Sequence, residues 1–292
     1  MMFNVSHRSS YRYGAPVAQS QHIVHLAPRS LDRQTVVRHS LLIDPAPVAR
    51  YDLVDYFGNP FSILVIEDEH SELVVHARSS VEVHAGVATD LAASIPWEQV
   101  ARDVAQGAGP ADAAVVHYAC ATRHTAYVPA ALDYVQSSFL PGRPVLEAAW
   151  DLTRRIHADF TFDPAATDIS TPISQILSAR RGVCQDFAHL SLCCLRALGL
   201  PARYVSGYML TRPPPGRPKL VGADASHAWL SVWAPGTGWL DFDPTNGLMP
   251  RDEHVVVAYG RDYDDVSPIS GVLLGGSGQV VTVSVDVTEA GG

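Results

Sequence analysis

In the stretch GVCQDFAHL, Cys184 stands two residues after Gly182 and opens a run that reads as a helix. A thiol in a first helical turn faces backbone N–H groups without intrahelical acceptors and the positive end of the helix dipole, and both favour thiolate. Gly182 is expected to let backbone approach a substrate carbonyl closely. Free cysteine is also among the most buried residue types, so position alone leaves packing as a competing use. A thiol nucleophile needs an imidazole base, itself oriented by a carboxylate or amide. His227 begins the run HAWLSVW, and Asp243 ends GWLDFDP.

Period-two alternation puts His227, Trp229, Ser231 and Trp233 on one strand face and groups Trp239, Asp241 and Asp243 on the other strand. Pairing of the two strands through PGTG brings histidine and aspartate together at the open end of a hairpin. Asp241 shares that face and competes with Asp243. Trp229, nearest the histidine, is a candidate substrate contact. Asp224, three residues before His227 in GADASHAW, could contact substrate or position the hairpin. Asp186 and Arg181 flank the cysteine as supporting residues. For an acyl-transfer oxyanion, the backbone N–H of Cys184 is the natural first donor. The side chain of Gln185 points about 100° away and is a weak one.

Other reactive residues read as packing. His189 and Cys193 share a helix face, but without a CxxC knuckle elsewhere they do not complete a zinc set, and no metal is expected. Vicinal Cys193 and Cys194 point apart on a helix and suit a core better than a disulfide. With Cys120 and Cys184 these are the 4 cysteines, too few and too irregular for a disulfide framework.

The elements that must hold this constellation follow from pattern. Residues 1–86 carry short β-rich runs, FNVSHRSSYRY, QSQHIVHLAPR, TVVRHSLLID, FSILVIED and SELVVHARSSVEV, separated by turn signals at Gly14, Asp44–Pro47 and Gly58–Pro60. They predict an N-terminal antiparallel β domain. Residues 87–143, broken by Gly107, Gly109, Pro110, Pro129 and Pro141, read as a connecting region with short helices. Residues 144–292 form the catalytic unit: an amphipathic helix after Pro144, a second helix from Cys184 that stops at Gly199 with Pro201 beyond, and three strands, ARYVSGYML, HAWLSVWAP and GWLDFDP. A Pro-rich loop, RPPPGRPK, separates the first two, and QVVTVSVDV reads as a last strand.

Composition narrows the function classes. The chain has 292 residues, 47% hydrophobic and 17% charged, which predicts a folded protein. A net charge of -9 without a Lys/Arg run argues against nucleic acid. No run approaches the ~20 apolar residues of a spanning helix, so no membrane partner and a cytoplasmic location are expected. No D-x-D-x-D-G calcium loop is present, and no cofactor is called for.

Taken together, GVCQDFA, SHAWLSVW and GWLDFDPTNG resemble the transglutaminase-like cysteine enzymes. DYFGNP, RRIHADFTFDP and LGLPARYVSGYM resemble the bacterial transglutaminase-like proteins with a dedicated N-terminal β domain. The resemblance spans essentially the whole chain. It implies an α+β architecture: the N-terminal antiparallel β domain followed by a papain-like, transglutaminase-core α+β domain. It also implies Cys184 as nucleophile, His227 as general base and acid, and Asp243 as the residue orienting the imidazole, the position before Pro-Thr favouring Asp243 over Asp241. The implied function is cysteine-dependent acyl transfer on a peptide or amide substrate, most simply hydrolysis through a thioester. The alternatives are transfer to an amine by a transglutaminase and a non-catalytic binding module on the same fold. By the same analogy the partner system would include an ATP-grasp-type peptide ligase.

Overall fold

A computed structural model describes residues 1–86, 88–107, 113–211 and 224–290. The segment RPPPGRPK, with Gly109 and Pro110, lies outside the described residues. Five strands open the chain: β1 (Met2–Val24), β2 (Gln34–Asp44), β3 (Ala49–Val54), β4 (Pro60–Ile66) and β5 (His70–Val83). Helices α1 (Trp97–Gln106), α2 (Ala113–Val116), α3 (Pro129–Gln136) and α4 (Val145–Asp159) follow, then β6 (Thr161–Phe162), α5 (Ile173–Ala179), β7 (Arg181–Gly182) and α6 (Cys184–Ala197). The remaining strands are β8 (Ala202–Met209), β9 (Ser226–Ala234), β10 (Gly238–Phe242), β11 (His254–Gly260), β12 (Ile269–Gly275) and β13 (Gln279–Glu289).

The first sheet is built around β1, which alternates buried and exposed residues along most of its length. Its first half pairs with β5 and β13, and its second half with β4 and β12, all antiparallel. Gly14, expected to mark a turn, instead lies inside this continuous strand where the register shifts. A Cβ there would meet the Ser277 carbonyl oxygen at 2.3 Å, so glycine serves a close crossing by the β12–β13 connection. The placement of β12 and β13 also corrects the expected boundaries. The last strands of the assigned 144–292 unit return to the N-terminal sheet, because their alternating apolar residues find an unpaired β1 edge to complete.

The second sheet has the order β10-β9-β8-β11 and is antiparallel throughout. Helix α6 packs against β8 and β9. One apolar core runs through both layers: Phe3, Val5, Val81, Val83, Val285 and Val287 of the first sheet join the cluster that holds Phe187, Leu190, Leu230 and Val232. At about 2 kcal/mol for each buried aliphatic or aromatic side chain, those six residues alone supply an upper estimate of roughly 10 kcal/mol to the joint. The helices of 87–143 belong to this core as well, through Val100, Val104, Ala131 and Val135, so the segment packs as part of the catalytic unit.

Candidate active site

Helix α6 begins where its sequence places it. Val183 caps the helix in extended conformation, and Asp186, three residues into it, turns back so that its Oδ2 accepts from the backbone N–H of Val183 at 2.8 Å. The same oxygen accepts from the Thr167 hydroxyl at 2.6 Å. Burial raises the Asp186 pKa, partly offset by these two bonds. Asp186 thus fixes the turn that presents Cys184 at the helix start, half-buried. Arg181 is farther out, facing Asp163 at 3.4 Å.

Gly182 has a different purpose from the one expected. A Cβ built there would sit 2.7 Å from Asp186 Oδ2 and 2.9 Å from Asp186 Cβ, so the space is taken by the capping carboxylate rather than left to a substrate. Gly182→Ala must displace Asp186 and is expected to cost about 1–3 kcal/mol as an overpacked site. Thermal unfolding should show a midpoint lowered by several degrees, together with slower alkylation of Cys184. An unchanged midpoint would show that the helix start tolerates the added methyl.

The hairpin forms as the sequence requires. Gly238 pairs with Ala234 and Phe242 with Leu230, which brings Asp243, the next residue, to the His227 end of the hairpin. A tight reversal follows, closed by Asp243 N–H to Leu248 O at 2.9 Å, with Gly247 at φ +63°. Nε2 of His227 donates to Asp243 Oδ2 at 2.7 Å. The Cys184 thiol acts on the same ring and contributes to raising its pKa. With Nε2 engaged by the carboxylate, Nδ1 is the nitrogen left to exchange a proton with a thiol. Imidazole and carboxylate therefore form a hydrogen-bonded pair, with Cys184 acting on the same ring. Asp241, the competing carboxylate, is engaged elsewhere: it accepts from the Ser231 hydroxyl and faces Arg33 at 3.7 Å.

The electrostatics suit an ion pair. Burial opposes a charged His227, but hydrogen bonds to Asp243 and Cys184 and the charges of both override it and push the pKa up to about 10. Burial likewise opposes an ionised Asp243, yet bonds from His227, His254 and Asn246 hold its carboxyl far below the usual range. Asp243 Oδ1 accepts from the backbone N–H of Thr245 at 3.0 Å and of Asn246 at 3.2 Å. Burial raises the pKa of Cys193 and Cys194, farther along α6, which donate to the carbonyls of Ala126 and Ala131.

Two further expectations change. Trp229 is 0% exposed, in a cluster with Val205, Val256 and Tyr259, which corrects its assignment as a substrate contact. Its ring stacks behind His227 at a centroid distance of 5.8 Å and supports the imidazole from the protein side. Asp224 is 8% exposed; Oδ2 accepts from Val287 N–H at 2.8 Å and Oδ1 from the Thr211 hydroxyl. It ties the entry of β9 to β13.

Sequence reasoning missed His254 and Asn246, both on Asp243. Nε2 of His254 donates to Oδ2 at 3.1 Å and Nδ2 of Asn246 at 2.7 Å. Their signals were the β-branched run after His254, a strand left unread, and an amide inside the DPTNG turn. Among the described residues, His227, Asp243 and His254 could geometrically group around a metal, as could His124, Asp262 and Asp264. In the first group, hydrogen bonding accounts for the convergence. In the second, His124 bonds Asp264 at 2.9 Å, and Asp262 caps Asp264 N–H. His189, stacked on His124 at 5.0 Å, accepts from Tyr263 N–H through Nε2.

Comparison with known proteins bears on this geometry. Residues 3–82 match the bacterial transglutaminase-like N-terminal region, and residues 133–244 match the transglutaminase-like superfamily. The chain is 41% identical to an uncharacterized protein of Mycobacterium tuberculosis strain H37Rv, over 98% of this chain and 92% of that one. It is 37% identical to a protein-glutamine gamma-glutamyltransferase of Pseudomonas aeruginosa over 93 residues, 32% of this chain and 14% of that protein. Among solved structures, a candidate cysteine protease from Cytophaga hutchinsonii matches with a TM-score of 0.76, covering 99% of this chain and 90% of that one at 21% identity, a likeness of fold.

Proposed function

From the premise that this chain belongs to the transglutaminase-like superfamily, with the bacterial transglutaminase-like N-terminal region, we propose that it is a cysteine-dependent acyl-transfer enzyme acting on a peptide or amide bond. The observation that carries this reading is the buried His227–Asp243 hydrogen bond at 2.7 Å, on an imidazole whose pKa Cys184 also helps to raise. In the reaction the Cys184 thiolate adds to the carbonyl carbon. The Cys184 N–H, at the first position of α6, faces the developing oxyanion. The His227 imidazolium gives its proton to the departing amine, the C–N bond breaks, and a thioester remains on sulfur. His227, now neutral, takes a proton from water; the hydroxide adds, the thioester C–S bond breaks, and acid and thiolate are released.

An amine in place of water would make the same site a transglutaminase, a reading favoured by the partial match to the Pseudomonas glutamyltransferase. Mass spectrometry of a glutamine-containing peptide incubated with the protein and a primary amine separates the two. Hydrolysis of the carboxamide is expected to appear as the mass change of deamidation, or as cleavage at a peptide bond. A gain of the amine's mass would replace hydrolysis by transfer. An unaltered peptide in a panel of sequences would favour a binding module on the same fold.

A further inference from the structure

The carboxylate of Asp243 is held from two directions. Its own turn supplies the backbone N–H groups of Thr245 and Asn246 and the Asn246 amide. The remaining support, His254, comes from another strand: its Nε2 lies 3.1 Å from Oδ2, the oxygen that also accepts from His227. His254 is 4% exposed, and among the described residues its Nδ1 has no hydrogen-bond partner. An apolar ring would fill this place, edge-on to Trp229 at 5.1 Å, without burying an unpaired nitrogen. Among the described residues, the one hydrogen bond that the His254 ring makes is the bond to Asp243.

His254 opens β11, the outer strand of the four-stranded sheet. The free backbone of such an edge is ordinarily left to solvent or another strand. Here the N-terminal domain engages it through two side-chain amides, alongside the Arg29 backbone N–H, which donates to Val256 O at 3.2 Å. Gln34 donates from Nε2 to Val256 O at 2.7 Å and accepts at Oε1 from Val256 N–H at 2.8 Å. Asn59 donates from Nδ2 to Tyr259 O at 2.7 Å and accepts at Oδ1 from Tyr259 N–H at 2.8 Å. Each primary amide reproduces the pair of bonds a neighbouring strand residue would make. Both are buried, at 2% and 0% exposure, and both are braced within the domain: Gln34 Nε2 also reaches Arg29 O at 2.7 Å, and Asn59 Nδ2 also reaches Asp55 Oδ2 at 2.7 Å.

We infer that the N-terminal β domain is a positioning device for the catalytic carboxylate: Gln34 and Asn59 fix β11, and His254 on β11 fixes Asp243. The inference rests on the triad reading above. It assigns His254 as a positioning residue and gives the β domain a part in catalysis through three named side chains. Removing His254 leaves Oδ2 held only by the ring it must orient and by its own turn. Removing the Gln34 amide lets the edge strand, and His254 with it, drift.

The rate of Cys184 alkylation by iodoacetamide, measured on the full chain across pH and read by peptide mass against exposed Cys120, tests this without a substrate. At about pH 6, where an ordinary thiol is almost wholly protonated, His254→Phe is expected to slow Cys184 about tenfold, the scale of one lost bond to a charged group. Gln34→Leu, remote from the thiol, is expected to slow it several-fold. In both variants the inflection from His227 should move to lower pH. His254→Gln, which keeps a donor, should restore most of the rate. A role in packing alone would lower the unfolding temperature and leave the pH profile superimposed on that of the original protein, and this result would overturn the inference. Should His254→Phe not fold, Gln34→Leu and His254→Gln decide by the same profile. Asp243→Asn separates the two levels. If it slows labelling and the His254 and Gln34 variants do not, the triad stands and the positioning role falls. If Asp243→Asn has no effect either, the triad reading itself has failed.

Discussion

Replacing Cys184 with alanine is expected to abolish turnover, a loss of roughly a millionfold when a covalent nucleophile is removed from a concerted site. The proposed mechanism has no other group that can form the acyl intermediate. Cys193 and Cys194 are buried farther along α6, with thiols raised in pKa and bonded to carbonyls. Cys120 is exposed on a different segment. Cys184→Ser should be almost as inactive: a hydroxyl is far less acidic than a thiol, so the imidazole cannot hold it as an anion beside a charged ring. Peptide turnover followed by mass spectrometry checks both variants, with circular dichroism to show that α6 still forms. Activity within an order of magnitude of the original protein would remove Cys184 from the mechanism.

Asp243→Asn carries the second large effect, expected to be about a thousandfold or more in kcat/KM, as when a triad carboxylate loses its charge and misassigns the imidazole tautomer. The proposed mechanism uses the His227 imidazolium as proton donor, so activity should fall as pH rises through the His227 pKa of about 10. The asparagine removes the charge that raises this value and leaves at most a weaker, neutral amide acceptor, while the burial that lowers it remains. The alkaline limb should therefore slide toward lower pH by at least about one unit. The sign for stability is parallel. The raised pKa contributes to folding fully below the unfolded value of about 6.5, and the contribution disappears as pH climbs through about 10. A pH profile of kcat/KM for the two proteins checks the direction; an alkaline limb that does not move would place the proton of the mechanism elsewhere.

The parts of this site that were legible from sequence are those governed by local periodicity. The cysteine at a helix start, the histidine and aspartate on one hairpin face and the glycine stop of α6 all follow from spacing of two or 3.6 residues. The choice between Asp241 and Asp243 did not follow from alternation, since both share a face; it needed the turn after Asp243, whose amides converge on that carboxylate. Gly182 was misread because its neighbour in space is Asp186, a contact made by the side chain folding back over the cap. Trp229 was misread because alternation gives a face but not what covers it, and Leu31 of the N-terminal region packs against that cluster. The boundary at 144–292 failed for the same reason: β12 and β13 carry an ordinary strand pattern, and nothing local in QVVTVSVDV says that its partner is β1, more than two hundred residues away. His254 is the clearest case of a residue whose role is set entirely by tertiary pairing.

Acyl transfer to sulfur is the step on which everything else depends, and it can be observed directly. The protein is incubated with p-nitrophenyl acetate at about pH 6, where an unactivated thiol is almost entirely neutral, quenched in acid and mapped by peptide mass. The expected result is an acetyl group on Cys184, removed by neutral hydroxylamine as a thioester should be, formed at least about tenfold faster than on Cys120 and reduced to the Cys120 rate in His227→Ala. Equal labelling of the two cysteines, or labelling of Cys184 that ignores the loss of His227, would contradict the account.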